Sequence, residues 1–245
     1  MTTAVLIPAR NEAQTIQKVI RRVQENLPHT TIYVCDNNSS DNTSNLAKEV
    51  GGRVLFYSKK GKGATLRHLY NNVDSDIYFF VDGDDQYDLS KLKDMEDLIL
   101  SGNDLVISNR KLKTYYNKNN NLLRKNGNNY IFKIIKFLFP KARQYENIDV
   151  LSGLRACNRN FLSHFPAKYD NFEVETEMTI YAIINNAKIA FTDCDFYKRK
   201  GSSKSKLYPF IDGPKILKTI FIFFIKYKLN LLNDYIIDKN KKQFV

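Results

Sequence analysis

Apolar and polar positions alternate along the first hundred residues at two periods, and each change of period marks an element. Thr3–Ala9 is a continuous apolar run of strand length. Ile16, Val19, Ile20, Val23 and Leu27 then recur at helical spacing. Ile32–Asp36 predicts a second strand, and Asp41 or a neighbouring Ser caps a short helix to about Val50. Val54–Ser58 predicts a third strand, followed by a glycine-punctuated turn and a helix near Ala64–Asn72. Ile77–Val81, Leu89–Leu100 and Asp104–Ser108 continue as strand, helix and strand. This alternation predicts an α/β fold with a mostly parallel central sheet and helices on both faces. Ligands of such sheets gather beyond the carboxyl ends of the strands. Asp36 and Asp82 each fall at such an end.

The second half reads differently. Residues 111–130 are polar, basic and rich in Asn, which predicts a long loop. "IFKIIKFLF" at 131–139 reads as a basic amphipathic helix, and "SGLRACN" at 152–158 as a strand. "FEVETEMTIYAII" opens a helix whose acidic first turn suits the helix dipole, and "KIAFTDCDF" is the last expected strand. Residues 216–232 are strongly apolar but interrupted by Lys218, Lys226 and Lys228. The longest uncharged run there, Thr219–Ile225, falls far short of the roughly 20 residues that span a bilayer, so an interfacial or core helix is expected. No internal repeat is visible.

Composition narrows the partners. The chain has 245 residues, 43% of them hydrophobic, which suits one α/β domain with elaborations. Its formal net charge of +12 favours an anionic partner: nucleic acid, a phosphorylated substrate or an anionic membrane surface. Compositional drift, from abundant Lys and Asn, is the plain alternative. Nucleic acid is disfavoured, because the aromatic residues lie inside predicted strands and apolar helices rather than on a basic face. Cys35, Cys157 and Cys194 form no zinc pattern and suit a reduced, cytoplasmic chain. No signal peptide is visible: Ala4–Ala9 is too short for one and lacks a basic flank.

The chemistry gathers at "YFFVDGDDQYD", 78–88. Carboxylates crowded behind a buried strand repel one another and lose hydration. Asp82, Asp84 and Gln86 all offer oxygen, and a hard cation such as Mg²⁺ or Mn²⁺ would offset the repulsion. An isolated Asp-x-Asp is more often a solvated turn, so the other strand ends matter. "IPARNEA", 7–13, puts Pro8, Ala9, Arg10 and Glu12 at the end of the first strand. "VCDNNSSDNT", 34–43, puts Asp36 after the second, where it could accept from a base or ribose. "KKGKGATLRH", 59–68, offers two glycines, which let backbone approach a ligand, and cations including Lys62 to face phosphate. It is no P-loop, since Gly61-Lys62 is followed by Gly63.

With these motifs in this order, the chain resembles glycosyltransferase family 2, whose fold is the GT-A (nucleotide-diphospho-sugar transferase) fold. It is most similar to the subgroup that moves a sugar onto a polyprenyl or dolichyl phosphate, through "SNR" ending at Arg110, "RKNGN" at 124–128, "DVLSGLRA" at 149–156 and "RKGSSKSKL" at 199–207. Leu154 stands where the subgroup has Phe. The resemblance implies a GT-A domain over 1–213, with a nucleotide-binding half (1–110) and an acceptor half (111–213), followed by an amphipathic helix in 214–245. It further implies that Pro8, Ala9, Arg10, Glu12, Asp36 and Lys62 bind a UDP- or GDP-linked donor, and that Asp82, Asp84 and Gln86 hold Mg²⁺ or Mn²⁺ and, through it, the diphosphate. Arg110, Arg124, Arg199 and Lys204 would meet donor or acceptor phosphate, and Asp149 would lie on the acceptor side.

The expected reaction is an inverting displacement at the anomeric carbon. A phosphate acceptor is already ionised and needs no base, whereas a hydroxyl acceptor would make Asp149 the candidate base. His29, His68 and His164 sit in unremarkable surroundings. Glu175 reads as a structural carboxylate at a helix start. The two lysine-bearing apolar segments would place the protein peripherally at the cytosolic face of a membrane, or serve a homo-oligomer contact. The rivals are transfer to a glycan, cell-wall polymer or protein hydroxyl, and an inactive scaffold. A sugar-phosphate nucleotidyltransferase is disfavoured because residues 7–13 contain no glycine.

Overall fold

The computed structural model describes residues 1–111, 122–199 and 208–229, with backbone alone for 122–126 and 209. Seven strands form one sheet in the order β3-β2-β1-β4-β6-β5-β7. They are β1 (Thr3–Ala9), β2 (Thr31–Asp36), β3 (Arg53–Phe56), β4 (Ile77–Phe80), β5 (Leu105–Lys111), β6 (Arg155–Asn158) and β7 (Ile189–Asp195). Six run parallel, and β6 is antiparallel to both of its neighbours, β4 and β5.

The strand pleat divides the core in two. Val5, Ile7, Val34, Phe79 and Val106 point to one face, where α1 (Ile16–Asn26), α2 (Thr43–Glu49) and α4 (Leu92–Leu100) cover them. Leu6, Cys35, Tyr78, Phe80 and Ile107 point to the other. That face is covered by α3 (Lys62–Asn71), α5 (Leu122–Leu138), α6 (Arg159–His164), α7 (Glu173–Ile184) and α8 (Pro209–Lys228). With both faces covered, the central strands read as continuous apolar runs, and β4 is buried at all four positions.

Three expectations are revised. Residues 122–130, expected in a loop, belong to α5. The buried Asn128 explains part of this, because its amide donates to the Ile148 carbonyl at 2.9 Å and accepts from Val150 N at 2.8 Å. A tertiary partner thus outweighs the weak helix propensity of Asn. Only Arg155–Asn158 of the expected 152–158 strand pairs. Before it the chain turns, with Ser152 N donating to the Asp149 carbonyl at 3.1 Å. Lastly, α8 begins at Pro209, a residue suited to a first helical turn, so the division expected at 213/214 falls inside one helix.

The strand order reverses direction of growth at β1 and β4, and it is beyond the carboxyl ends of such strands that a ligand crevice is expected. The reversed β6 starts at that same end. Its leading segment, 149–154, therefore joins the rim already made by the residues after β1, β2, β4, β5 and β7.

Candidate active site

The rim is built from loops locked to one another. Pro8 and Ala9 pair in register with Cys35 and Asp36, which sets the ends of β1 and β2 level. Asp36 is buried; one carboxylate oxygen accepts from Ser39 N at 2.8 Å and the other from the Ser44 hydroxyl. Asn11 adopts a left-handed conformation (φ 52°) that Asn tolerates better than most residues, and its side-chain oxygen accepts from Ser40 N at 2.8 Å. Glu12 N donates to Thr43 Oγ1 at 2.9 Å and Ala13 N to Asp41 Oδ2 at 3.1 Å. Pro8, Ala9, Arg10, Glu12 and Asp36 thus share one edge of the sheet.

Every carboxylate of the acidic turn faces a cation. Asp82 meets Lys62 Nζ at 2.6 Å, and the same ammonium meets Glu175 at 2.6 Å. Asp84 is buried and paired with Arg199, whose other nitrogen lies 3.6 Å from Glu12. Asp85, in a left-handed turn (φ 54°), points elsewhere, to Lys18 and to Arg22 at 2.8 Å. Asp88 caps the 3-10 turn Leu89–Lys91 and meets Arg22 at 3.3 Å. Asp85 and Asp88 are therefore structural, which leaves Asp82 and Asp84 for the crevice.

The charge balance there is tight. Burial opposes a charge on Lys62, but Asp82 and Glu175 outweigh it and push its pKa above the ordinary lysine value. The Asp84 carboxyl is pushed up to about 7 by burial and by Asp82, against the opposing pull of Arg199. Among the described residues no group of three His, Cys, Asp or Glu side chains could hold a metal alone. Two carboxylates carrying surplus negative charge do fit a hard divalent cation that completes its shell with phosphate and water. Asp82 and Asp84 would hold it. Gln86 is engaged otherwise, since its amide donates to the Tyr197 carbonyl at 2.9 Å and its oxygen lies 3.5 Å from Arg199.

Arg199 reaches Asp84 because the chain after β7 zips onto the acidic turn. Tyr197 N donates to the Gln86 carbonyl at 2.7 Å and Asp88 N to the Asp195 carbonyl at 3.0 Å, beside an antiparallel bridge between Tyr87 and Phe196. Phe196 packs edge-on against Tyr87 and carries the Arg110 guanidinium over its face at 5.2 Å. Arg110 grips Asp149 with two hydrogen bonds, Nε to Oδ2 at 2.6 Å and Nη2 to Oδ1 at 2.8 Å. This bidentate pair ties the end of β5 to the segment before β6.

The Gly-Lys-Gly turn differs from expectation. A Cβ at Gly61 would overlap the Asp170 carbonyl oxygen, and one at Gly63 the Tyr169 carbonyl oxygen. Their close approach is therefore to the chain's own 169–171 segment rather than to a ligand. Lys59 and Arg67 clasp Asp170 from either side of the turn, the first at 2.6 Å. Only Lys62 is turned inward, and it reaches carboxylates.

Of the other expected site residues, Arg124 lies on α5 with backbone alone described, and Lys204 lies outside the described residues. Three contributors were not legible as such. Glu175 joins the site through Lys62, and its one signal was its place at an acidic helix start. Tyr87 accepts from Gly153 N at 2.7 Å, fixing the glycine that lies against Asp82 and Lys62. Arg155, fully buried, donates to the carbonyls of Ser152 and Val150, both at 2.8 Å, and to Thr179 Oγ1 at 3.0 Å. It pins the 150–152 turn to α7, and burial lowers its pKa to about 10.

The model of the family described as "Glycosyl transferase family 2" matches residues 4–165. The chain belongs to glycosyl transferase family 2. It is accordingly a glycosyltransferase that draws on a nucleotide-sugar donor, on the GT-A fold. This glycosyltransferase is 27% identical over 228 residues to a protein named dolichyl-phosphate hexose transferase from Haloferax volcanii, covering 93% of this chain and 96% of that one. It is 44% identical over 108 residues to "Protein RfbJ" of Shigella flexneri, covering 44% of this chain and 84% of that protein. Its fold matches glucosyl-3-phosphoglycerate synthase from Mycobacterium tuberculosis, solved with uridine diphosphate, with a TM-score of 0.70 at 20% identity over 97% of this chain and 82% of that one.

Proposed function

We propose that this glycosyltransferase moves a sugar from a nucleoside diphosphate onto a polyprenyl phosphate, with inversion at the anomeric carbon. The observation that carries the reading is the Arg110–Asp149 pair. Both oxygens of the buried Asp149 accept from Arg110, so this carboxylate serves a bidentate ion pair that holds the guanidinium in place, a structural role rather than that of a base. A hydroxyl acceptor requires a base in reach. An ionised phosphate requires only placement and opposing charge, and Arg110 and Arg199 supply cations on two sides of the crevice. The Haloferax volcanii relative, named for transfer to dolichyl phosphate and alignable over nearly its whole length, supports the same acceptor class.

The donor's diphosphate would sit beside Asp82 and Asp84, with its nucleoside against Pro8, Ala9, Glu12 and Asp36. A bound Mg²⁺ or Mn²⁺ would neutralise charge growing on the leaving diphosphate; structures of the Mycobacterium tuberculosis synthase contain Mn²⁺ with UDP. Lys62 holds Asp82 in place, and Tyr87 with Gly153 closes the floor beneath that pair. Arg199 must release Asp84 before the diphosphate is seated. A polyprenyl acceptor sits in a bilayer, so the protein works peripherally at its cytosolic face.

The test has two arms. A thermal-shift panel of UDP- and GDP-sugars with Mn²⁺ identifies the donor, because a ligand of the native state raises apparent stability. The stabilising donor, radiolabelled, is then incubated with undecaprenyl or dolichyl phosphate. Label entering the organic phase supports the proposal. Label that stays aqueous on an added glycan overturns it in favour of a hydroxyl acceptor.

A further inference from the structure

The last described helix is apolar on two opposite sides. Ile216, Ile220 and Phe223 of α8 are buried in the core beside α7 and α5. At 100° per residue, Phe210, Ile211, Phe221, Ile225 and Leu229 fall on the side turned away from them. Those five side chains are between 50% and 84% exposed. A helix that only covers a sheet carries polar residues on its outer side. Here the outer side is apolar and basic. Lys218 and Lys228 stand within the stripe, and Lys215 flanks it. The helix has one acidic residue, Asp212, which is buried and accepts from Tyr208 N at 2.8 Å.

We infer that this outer face of α8 lies flat on an anionic lipid surface. The pattern of aromatic and aliphatic side chains beside lysines, without an exposed carboxylate, matches an interface of headgroup phosphates over acyl chains. A second copy of the chain fits it less well. A twofold contact would set this face against itself and enclose lysines from both copies with no acid to pair them. No helix among the described residues is long and apolar enough to cross a membrane, so α8 lies on the surface. Beside α8, α5 packs through the neighbouring Phe139 onto Phe224 and Tyr227. It exposes Tyr130 and Phe137 with Lys133 on one helical face, the same chemistry on an adjacent helix. The inference deepens the membrane-borne acceptor proposed above and rests on it for its purpose, but its test uses vesicles that contain no polyprenyl phosphate.

The full chain is floated with vesicles of phosphatidylcholine alone and of phosphatidylcholine with 30% phosphatidylglycerol. The wild type should float with the anionic vesicles and not with the neutral ones. Lys218→Gln/Lys228→Gln should weaken partitioning about thirtyfold, on the usual contribution of a lysine near such a surface. Phe221→Glu/Ile225→Glu should abolish flotation. Both variants alter exposed residues and should keep the wild-type Tm and donor-induced thermal shift. The inference is overturned if the wild type stays at the bottom with anionic vesicles, or if both variants float as it does. It is equally overturned if light scattering finds a wild-type dimer that Phe221→Glu/Ile225→Glu converts to monomer. Flotation without label transfer to a polyprenyl phosphate would leave α8 on the membrane and overturn only the acceptor.

Discussion

Asp84 sits under opposing electrostatic pulls, with burial and Asp82 against Arg199. Its carboxyl binds a proton up to about pH 7 in the fold, through burial and the neighbouring Asp82, against about 3.9 for an aspartate in an unfolded chain. Between those values the folded chain holds more protons than the unfolded one. The stabilising share of this group is therefore fully present below about pH 4 and is lost as pH rises through about 7. Asp84→Asn removes that loss. Without ligand, the Tm of the variant relative to wild type should climb from pH 5 to pH 8, read by calorimetry in matched buffers. A flat or falling difference would mean that Asp84 is ionised throughout. The same substitution should abolish metal-dependent turnover, and an unchanged rate with unchanged Mn²⁺ dependence would remove Asp84 from the metal site. Asp82 and Asp84 were legible in the sequence because a buried apolar strand ran straight into them. Their partners were not, since Arg199 lies 115 residues from Asp84 and no local pattern links such positions.

At the level of elements, the glycines after β3 act by letting two backbones touch. Gly61 combines a φ of +131° with a carbonyl oxygen in the space a Cβ would fill. Gly61→Ala should cost about 2–5 kcal/mol, adding backbone strain to overlap, measured by urea denaturation. Gly127, in α5 with nothing within 4 Å of its added Cβ, is the contrasting site. Gly127→Ala should be neutral or stabilising by about 0.5–1 kcal/mol. Equal losses at both positions would refute the contact account. Strand and helix positions were readable from period alone, as β1 shows with the same bounds in sequence and structure. Strand direction was not, because alternating burial looks the same whichever way a strand runs. The antiparallel insertion of β6 between β4 and β5 could only be seen in the sheet. The first turns of α5 were hidden for another reason, since an Asn-rich stretch becomes helical when Asn128 finds carbonyl and amide partners 20 and 22 residues away.

On the scale of the whole molecule, each layer contributes a different part of one edge. The α1, α2 and α4 side holds the turns after β1 and β2, while α3 and α7 bring Lys62 and Glu175 to Asp82 from the opposite side. The segment after β7 closes the ring with Arg199. If Asp82 and Asp84 hold a divalent cation as proposed, that closure sets an order of arrival. A bare cation approaching Asp84 must first evict a guanidinium and leave it facing Glu12, whereas a cation already chelated by a diphosphate brings replacement oxygens for the arginine. Mn²⁺ alone should therefore bind Arg199→Gln at least tenfold more tightly than wild type by calorimetry, and the two should converge once UDP is added. Equal affinities without nucleotide would show that no such competition exists. Where it does, stray metal finds the idle enzyme plugged, and loading begins only when nucleotide and ion come in together.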